Sequence, residues 1–249
     1  MEVALKPETI FVVSGFSITN SLITSIFTTL FLLLIFFLAT RTLRLVPNLS
    51  QNMAEAAVEV LYNFNIQLAG SRVVKIFPWF ASFFFFILAA NLIGLLPGFG
   101  TLGFFMFQEG HRVFIPLLRP VNSDLNMTLS LAIVSLVVTH ALSVQTLGWR
   151  EYLSRFFSLN PINLFVGILE LVSEVTKLIS LSFRLFGNIF AGEAVLTTIS
   201  KLFAFILPLP FLILELVVGF VQALIFSILT MVFMVILTMT HQEGSHEGR

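Results

Sequence analysis

INLFVGILELVSEVTKLISLSFRLFGNIFAGEAVLTTIS occupies residues 162–200, directly after Asn160-Pro161, and contains no proline. Its apolar residues keep helical periodicity throughout, so it reads as one helix of ~39 residues, or ~58 Å at 1.5 Å per residue. That is nearly twice the ~30 Å hydrocarbon core of a bilayer. Pro208 and Pro210 are expected to break the chain before a second long apolar run, Phe211–Thr240, which spans about 45 Å at the same rise. A tilt of ~20° does not accommodate the first run. The spacing predicts a C-terminal hairpin of two strongly tilted helices, over 161–200 and 210–240.

Composition points the same way. Of 249 residues, 57% are hydrophobic and 10% charged, with a mean hydropathy of +1.02; a soluble domain carries about 25% charged residues. Thirteen Lys and Arg balance thirteen Asp and Glu, so there is no basic patch for nucleic acid and no acidic tail. The chain has no cysteine, which excludes disulfides, thiol catalysis, iron–sulfur clusters and Cys-ligated zinc. The expected class is a single membrane domain over 1–249, an all-α polytopic membrane protein with about five membrane-spanning helices and one interfacial amphipathic helix.

Met1–Asn20 contains Glu2, Lys6, Pro7 and Glu8. It lacks the basic start and the small-residue cleavage site of a signal peptide and is neither Arg- nor Ser-rich, so the mature protein is expected to begin near Met1. The first span is 18–40, followed at once by Arg41 and Arg44. Over 50–69, Met53, Ala57, Val60, Leu61, Phe64 and Leu68 recur at helical spacing, with Glu55, Glu59, Asn63 and Gln67 on another arc. That pattern predicts a helix lying in the interface or packed on a partner, with Ser50 as N-cap and Gly70 as stop. Spans over 76–97 and 125–147 form the next hairpin, joined by a loop from Phe99 to Asp124. Arg41, Arg44, Arg72, Lys75, Arg150 and Arg155 all fall on one side. The positive-inside rule then places the N-terminus outside and the C-terminus in the cytoplasm.

The long helix carries Glu170, Glu174, Lys177 and Arg184. At 100° per residue these and Asn188 share one arc of about 80°, beside a stripe of small residues, Ser173, Ser180, Gly187 and Ala191. A mid-membrane Arg costs ~2.5–3.5 kcal/mol on insertion scales, and small residues let another helix approach closely. Arg184 is therefore expected to face a second membrane protein. Glu174 and Lys177 are either channel residues or an i,i+3 ion pair. His140, on an apolar span, reads as a satisfied buried histidine.

Glu193 points to the other side of the helix. On the final helix Glu215 and Gln222 are seven apart and share a face. One antiparallel register sets Arg184 level with Gln222 and Glu193 level with Glu215. Two carboxylates in a poorly solvated site can hold one shared proton, which suits a proton relay.

Ser182–Glu193, SFRLFGNIFAGE, resembles the signature of subunit a of F-type ATP synthases, the proton-channel stator subunit of the membrane sector. Asn91-Leu-Ile-Gly-Leu-Leu-Pro97, Asp124-Leu-Asn-Met-Thr-Leu129 and Val221-Gln-Ala-Leu-Ile-Phe226 also resemble family motifs, and the resemblance covers about residues 40–240. It implies that Arg184 is the essential stator arginine facing the rotating c-ring, with Gln222 beside it. It implies half-channel positions for Asn188 and Glu193, an outer-entrance position for Asp124, and a cytoplasmic path for Glu170, with Glu174 placed alongside. At Glu215 the family has His or Glu; a carboxylate here removes an imidazole titrating near pH 6.5. The implied partners are the c-ring, the b-subunit peripheral stalk, other F-type ATP synthase subunits and the lipid bilayer. The implied location is a bacterial inner membrane rather than an organelle membrane, and no cofactor or metal is implied.

The alternative class is a proton- or ion-coupled secondary transporter. Such folds carry internal repeats and broken helices; no repeat is visible here, and no Gly or Pro interrupts the centre of the long helix. No G-x-x-x-x-G-K-[ST], H-E-x-x-H or G-x-S-x-G occurs, so a P-loop, a zincin site and a nucleophile elbow are absent. Any ATP chemistry belongs to partner subunits.

Overall fold

The computed structural model describes residues 7–13, 15–41, 43–96, 102–108, 111–156, 161–202 and 206–239. Helix α1 (Asn20–Thr40) starts two residues inside the expected span, where the Thr19 hydroxyl accepts from the Leu22 amide at 3.3 Å. Its first turns bury Asn20, Ser21, Thr24, Ser25 and Thr28, whereas Leu30, Leu33, Leu34, Phe37 and Leu38 are exposed. Polar groups turned inward and apolar groups turned outward suit a lipid surround, where every polar group needs a partner within the protein.

Helix α2 (Leu49–Ala69) is capped at Asn48, not at Ser50, which becomes its second residue. Gln51 secures the helix entry: its Oε1 accepts from Arg44 N, and its Nε2 donates to Arg44 O, both at 3.1 Å. Gly70 ends the helix as expected, at φ +53°. The apolar stripe of Met53, Val60, Phe64 and Leu68 faces outward, while Asn65 and Ala69 are buried. After a 3-10 turn, Gly70–Arg72, helix α3 runs Val73–Gly94. It starts three residues before the expected span and ends short of residue 97, which lies outside the described residues.

Two antiparallel hairpins, neither expected from the sequence, flank the same end of the bundle. β1 (Thr9–Val13) pairs with β2 (Phe16–Thr19), and β3 (Gly103–Gln108) pairs with β4 (His111–Pro116). The run Gly103–Gln108 shows no polar alternation and sits among Gly and Pro, so it read as loop. A Cβ at Gly103 would run into the Ile115 carbonyl oxygen, so only glycine permits this closure.

Helix α4 (Leu125–Leu147) matches its expected span, with Asp124 as N-cap. Gly148, at φ +84°, then turns the chain into helix α5 (Trp149–Phe156), which the sequence reading had taken as a charged connection. Helix α6 (Pro161–Leu202) has 42 residues and helix α7 (Pro208–Thr238) has 31. As expected, the long helix ends before Pro208 and a second one follows, but the two prolines belong to that second helix, which starts two residues ahead of the expected 210. They are the first and third residues of α7, where an amide has no helical acceptor and a fixed φ suits the first turn. Residue 240 and the tail beyond it lie outside the described residues.

Helix α7 packs against α3, α4 and α6. The Phe83 and Phe226 rings meet at 5.5 Å, and Phe84 meets Phe220 edge-on at 5.9 Å. Leu181, Leu185, Met231 and Met234 complete the seam. Lipid tails are as apolar as these side chains, so interhelical hydrogen bonds supply specificity. Ser135 bonds Thr230 at 2.9 Å, Thr128 bonds Ser182 at 3.2 Å, and Ser143 donates to Leu237 O at 2.7 Å. Asn91 donates to Gly219 O at 2.9 Å, where a Cβ on Gly219 would come within 3.1 Å of Asn91.

Among the described residues, four stretches are long and apolar enough to cross a membrane: Asn20–Thr40, Gln51–Gly94, Leu125–Leu147 and Pro208–Thr238. Helix α6 is the remaining long element, at ~63 Å. The chain is an all-α polytopic membrane protein, with the two hairpins as its only strands among the described residues.

Candidate functional site

Helix α6 buries a narrow strip, Gly167, Glu174, Leu181, Ser182, Leu185 and Ile189, and leaves the rest of its surface exposed or half-buried. Ser173, Ser180, Arg184, Gly187 and Ala191 are all exposed on one side. A Cβ added at Gly187 would meet nothing within 4 Å. Arg184 Nη2 donates to the Ser180 hydroxyl at 3.3 Å, and no carboxylate pairs with it among the described residues. A groove of about 430 Å³ runs along this side, lined by Ser173, Lys177, Ser180, Arg184, Leu229 and Phe233 among others. A permanent cation thus stands on an exposed face beside a stripe of small residues, with Lys177 in the same groove.

Gln222, expected level with Arg184, is 2% exposed and accepts instead from Asn188 Nδ2 at 2.8 Å. The carboxylate level forms close to the expected register. The Glu215 carboxylate rests on α6 at Gly192, where a Cβ would lie 2.7 Å from Oε1, and it feels the charge of Glu193. Each of these two glutamates has one buried oxygen, Oε2, with no hydrogen-bond partner, and Gln222 Nε2 is likewise buried and unpartnered.

Glu193 also lies near the Ser123 hydroxyl and within the field of Arg119. Arg119 is 6% exposed; its Nε donates to Ser123 Oγ at 3.2 Å, and its backbone amide donates to Thr24 Oγ1 at 3.2 Å. Glu8 faces the same guanidinium. Burial raises its carboxyl above the ordinary range, and the arginine opposes that rise. Asp124 is 3% exposed and both its oxygens are engaged: Oδ1 caps α4 through Asn126 N at 2.9 Å, and Oδ2 accepts from the Ser21 hydroxyl. Asn122 donates to Asn91 Oδ1 at 2.7 Å, linking this cluster to α3 and, through Gly219, to α7.

At the opposite end, Glu170 pairs with Arg155 Nε at 2.7 Å. Glu174 is 5% exposed and bonds Lys177 Nζ at 2.8 Å through Oε1, so these two form the i,i+3 ion pair. Lys177 also stands over the Phe233 ring at 4.7 Å. Glu174 Oε2 faces His140 Nε2 at 3.8 Å, and His140 Nδ1 meets the Tyr152 hydroxyl at 3.0 Å.

The sequence reading missed Arg119, Asn91, Asn122 and Ser123 as members of the outer cluster, and Tyr152 as a partner of His140. Arg119 falls inside the loop expected over Phe99–Asp124. The polar run Arg119–Asp124, directly ahead of a helix cap, was the available signal. Tyr152 left none, because its contact depends on the turn at Gly148. Among the described residues no group of His, Cys, Asp and Glu is arranged to hold a metal.

The arrangement is thus one unpaired arginine on an open face, with a carboxylate pair behind it toward one end and a Glu–His–Tyr network toward the other. Comparison with known proteins agrees with it. An ATP synthase subunit a of Moorella thermoacetica is 29% identical over 92% of this chain and 95% of its own length. A protein of the same name from Legionella pneumophila strain Paris is 30% identical over 90% and 88%, and one from Campylobacter jejuni subsp. doylei is 35% identical over 79% and 80%. The profile of the family described as "ATP synthase A chain" matches residues 22–235, and on that match, which takes in Asp124, His140, Glu174, Arg184, Glu193, Glu215 and Gln222, the chain belongs to the ATP synthase A chain family.

Proposed function

We propose that this chain is the stator subunit a of an F-type ATP synthase, a non-catalytic membrane subunit that forms two offset proton half-channels beside a c-ring. The single observation that carries the reading is Arg184, exposed and without a carboxylate partner among the described residues, in the centre of a small-residue face. Family membership over residues 22–235 favours this reading over an ion-coupled transporter.

The electrostatics follow from one fixed charge. A protonated ring carboxylate can face lipid; an ionised one is costly there. As a ring carboxylate approaches Arg184, the guanidinium favours its ionised form and the proton departs to one half-channel. Past the arginine, the carboxylate takes a proton from the other half-channel before it re-enters lipid. Because Arg184 keeps its charge, it also repels a proton leaking straight between the two paths.

The outer path runs through Glu193 and Glu215, with Asn188 and Gln222 between them and the arginine, and Asp124 holding the entrance scaffold. Glu170 and Glu174 belong to the cytoplasmic path, although each is engaged in an ion pair. The N-terminus lies outside and the C-terminus in the cytoplasm of a bacterial inner membrane, with α2 lying in the cytoplasmic interface. The b-subunit peripheral stalk holds the chain against rotation.

The test is ATP-driven proton pumping in inverted membrane vesicles. Arg184→Ala is expected to abolish pumping while ATP hydrolysis by the soluble sector continues. Normal pumping by an assembled Arg184→Ala complex overturns the reading.

A further inference from the structure

Resting on the proton-path reading above, we infer that His140, held between Tyr152 and Glu174, is the group that hands protons between the α4–α5 end of the chain and the groove below Arg184.

The geometry sets the two ring nitrogens to different tasks. Gly148 reverses the chain after α4, so Tyr152 returns to the side of a residue that lies about 10 Å inside the end of that helix. Phe156 packs against both rings, with centroids 6.4 Å from His140 and 5.3 Å from Tyr152, which fixes the imidazole plane. Nδ1 then meets the tyrosine hydroxyl at 3.0 Å, and Nε2 is aimed at Glu174 Oε2 at 3.8 Å. A small rotation of Glu174 or a single water closes that second gap. Lys177 occupies the other glutamate oxygen, which leaves Oε2 for the histidine.

The charged and titratable groups facing His140 are Tyr152 and Arg155 on α5 and Glu170, Glu174 and Lys177 on α6. Arg155 is taken by Glu170 and Lys177 by Glu174, so the pairs largely cancel at the ring. Burial, with the fields of Glu174 and Glu170, raises the Tyr152 hydroxyl above its ordinary value. It therefore stays protonated at neutral pH and serves as a hydrogen-bond partner, not as an anion. A hydroxyl donates to Nδ1 of the neutral ring and accepts from Nδ1–H of the charged one.

The transfer balances. A proton arriving from the α5 side bonds to the Tyr152 oxygen as that hydroxyl passes its own proton to Nδ1, giving a neutral tyrosine and the imidazolium; the Nε2 proton then passes to Glu174 Oε2, leaving a neutral ring protonated at Nδ1 and a protonated carboxyl. Exchange of the tautomer resets the ring. From Glu174 the way forward lies through a cavity of about 10 Å³ lined by Ser135, Thr139, Glu174, Lys177 and Phe233. That volume is about one water and carries several polar partners. Lys177 lines this cavity and also the larger groove that reaches Arg184.

The experiment uses the assembled complex in inverted vesicles. Passive proton conductance is measured after removal of the soluble sector, with ATP-driven pumping measured before it. His140→Ala is expected to lower conductance about a hundredfold, the low end of what a positioned acid–base group contributes, and added imidazole is expected to restore most of it. An assembled His140→Ala complex with native conductance overturns the inference, as does a loss indifferent to imidazole. Should His140→Ala fail to assemble, Tyr152→Phe decides. It keeps the aromatic packing and removes only the Nδ1 partner; a severalfold fall supports the inference and native conductance overturns it. Arg184→Ala in the same series separates the two levels. If it too pumps normally, the parent reading fails; if it stops pumping while the His140 variants are unchanged, only the histidine inference fails.

Discussion

Asn188 Nδ2 donates to Gln222 Oε1 at 2.8 Å, one helical turn beyond Arg184. Three turns back along α6 and three forward along α7, Lys177 stands over the Phe233 ring at 4.7 Å. The two contacts hold one antiparallel register, and between them Arg184 is left to the open side. The amide pair thus fixes where the arginine sits relative to the carboxylate level, without neutralising it.

Removing the amide acceptor tests that role. Gln222→Leu removes the acceptor of the Asn188 amide, a loss of about 0.5–1.5 kcal/mol for one hydrogen bond whose donor residue stays exposed. Pumping is expected to fall severalfold in a complex that still assembles, and Gln222→Glu, which keeps an acceptor, is expected to retain more. Equal rates in Gln222→Leu and the native chain contradict the role; the measurement is proton uptake per ATP hydrolysed.

Gly192 and Glu215 form a second testable pair. A Cβ at position 192 would meet Oε1 at 2.7 Å, so Gly192→Ala displaces the carboxylate from its seat. Proton conductance is expected to drop about tenfold, equivalent to about 1.4 kcal/mol on the barrier. Glu215→Asp, one methylene shorter, should recover part of the loss when combined with Gly192→Ala. Additive losses in the double variant count against direct contact.

The Glu174–Lys177 ion pair predicts an asymmetric response. Lys177→Met strands Glu174, which is 5% exposed, as an uncompensated buried charge. The double variant Lys177→Met with Glu174→Gln is expected to be more stable than Lys177→Met alone, read as the melting temperature of the purified complex in detergent. A double variant no better than the single one contradicts the pairing.

Asp124 is expected to behave as a scaffold residue. Asp124→Ala removes an N-cap and the acceptor for Ser21, costing about 1–2 kcal/mol. Asp124→Asn keeps an oxygen for the Asn126 amide. Thermal denaturation should therefore rank the native chain first, then Asn, then Ala, with conductance following stability. A conductance loss in Asp124→Asn without any stability loss points instead to proton carriage by the carboxylate itself.

How much of this was legible in the sequence depended on which physics wrote it. Helix α4 was readable to the residue, because an Asp cap and a Gly stop bracket a clean apolar run. Helix α6 was readable because forty residues without a break cannot fit any other element, and its charged arc could be placed by periodicity alone. The carboxylate level was nearly placed by register, but the partner of Gln222 shifted by one turn. Sequence spacing fixes which face a residue occupies, whereas the axial offset depends on side-chain length and crossing angle. Pro208 and Pro210 marked the division between the two long helices, and only the start of α7 differed, because proline in a first turn belongs to the helix it opens. The β3–β4 hairpin, Arg119 and the His140–Tyr152 contact rest on tertiary closures that no local pattern announces.

The most direct test of the account is disulfide trapping across the proposed rotor contact. The chain has no native cysteine, so single cysteines at Ser173, Ser180, Gly187 and Ala191 can each be paired with one in the ring helix. The account predicts efficient crosslinking along this face, with ATP-driven pumping blocked on oxidation and restored by a reductant. An assembled complex that crosslinks at none of these four positions contradicts it.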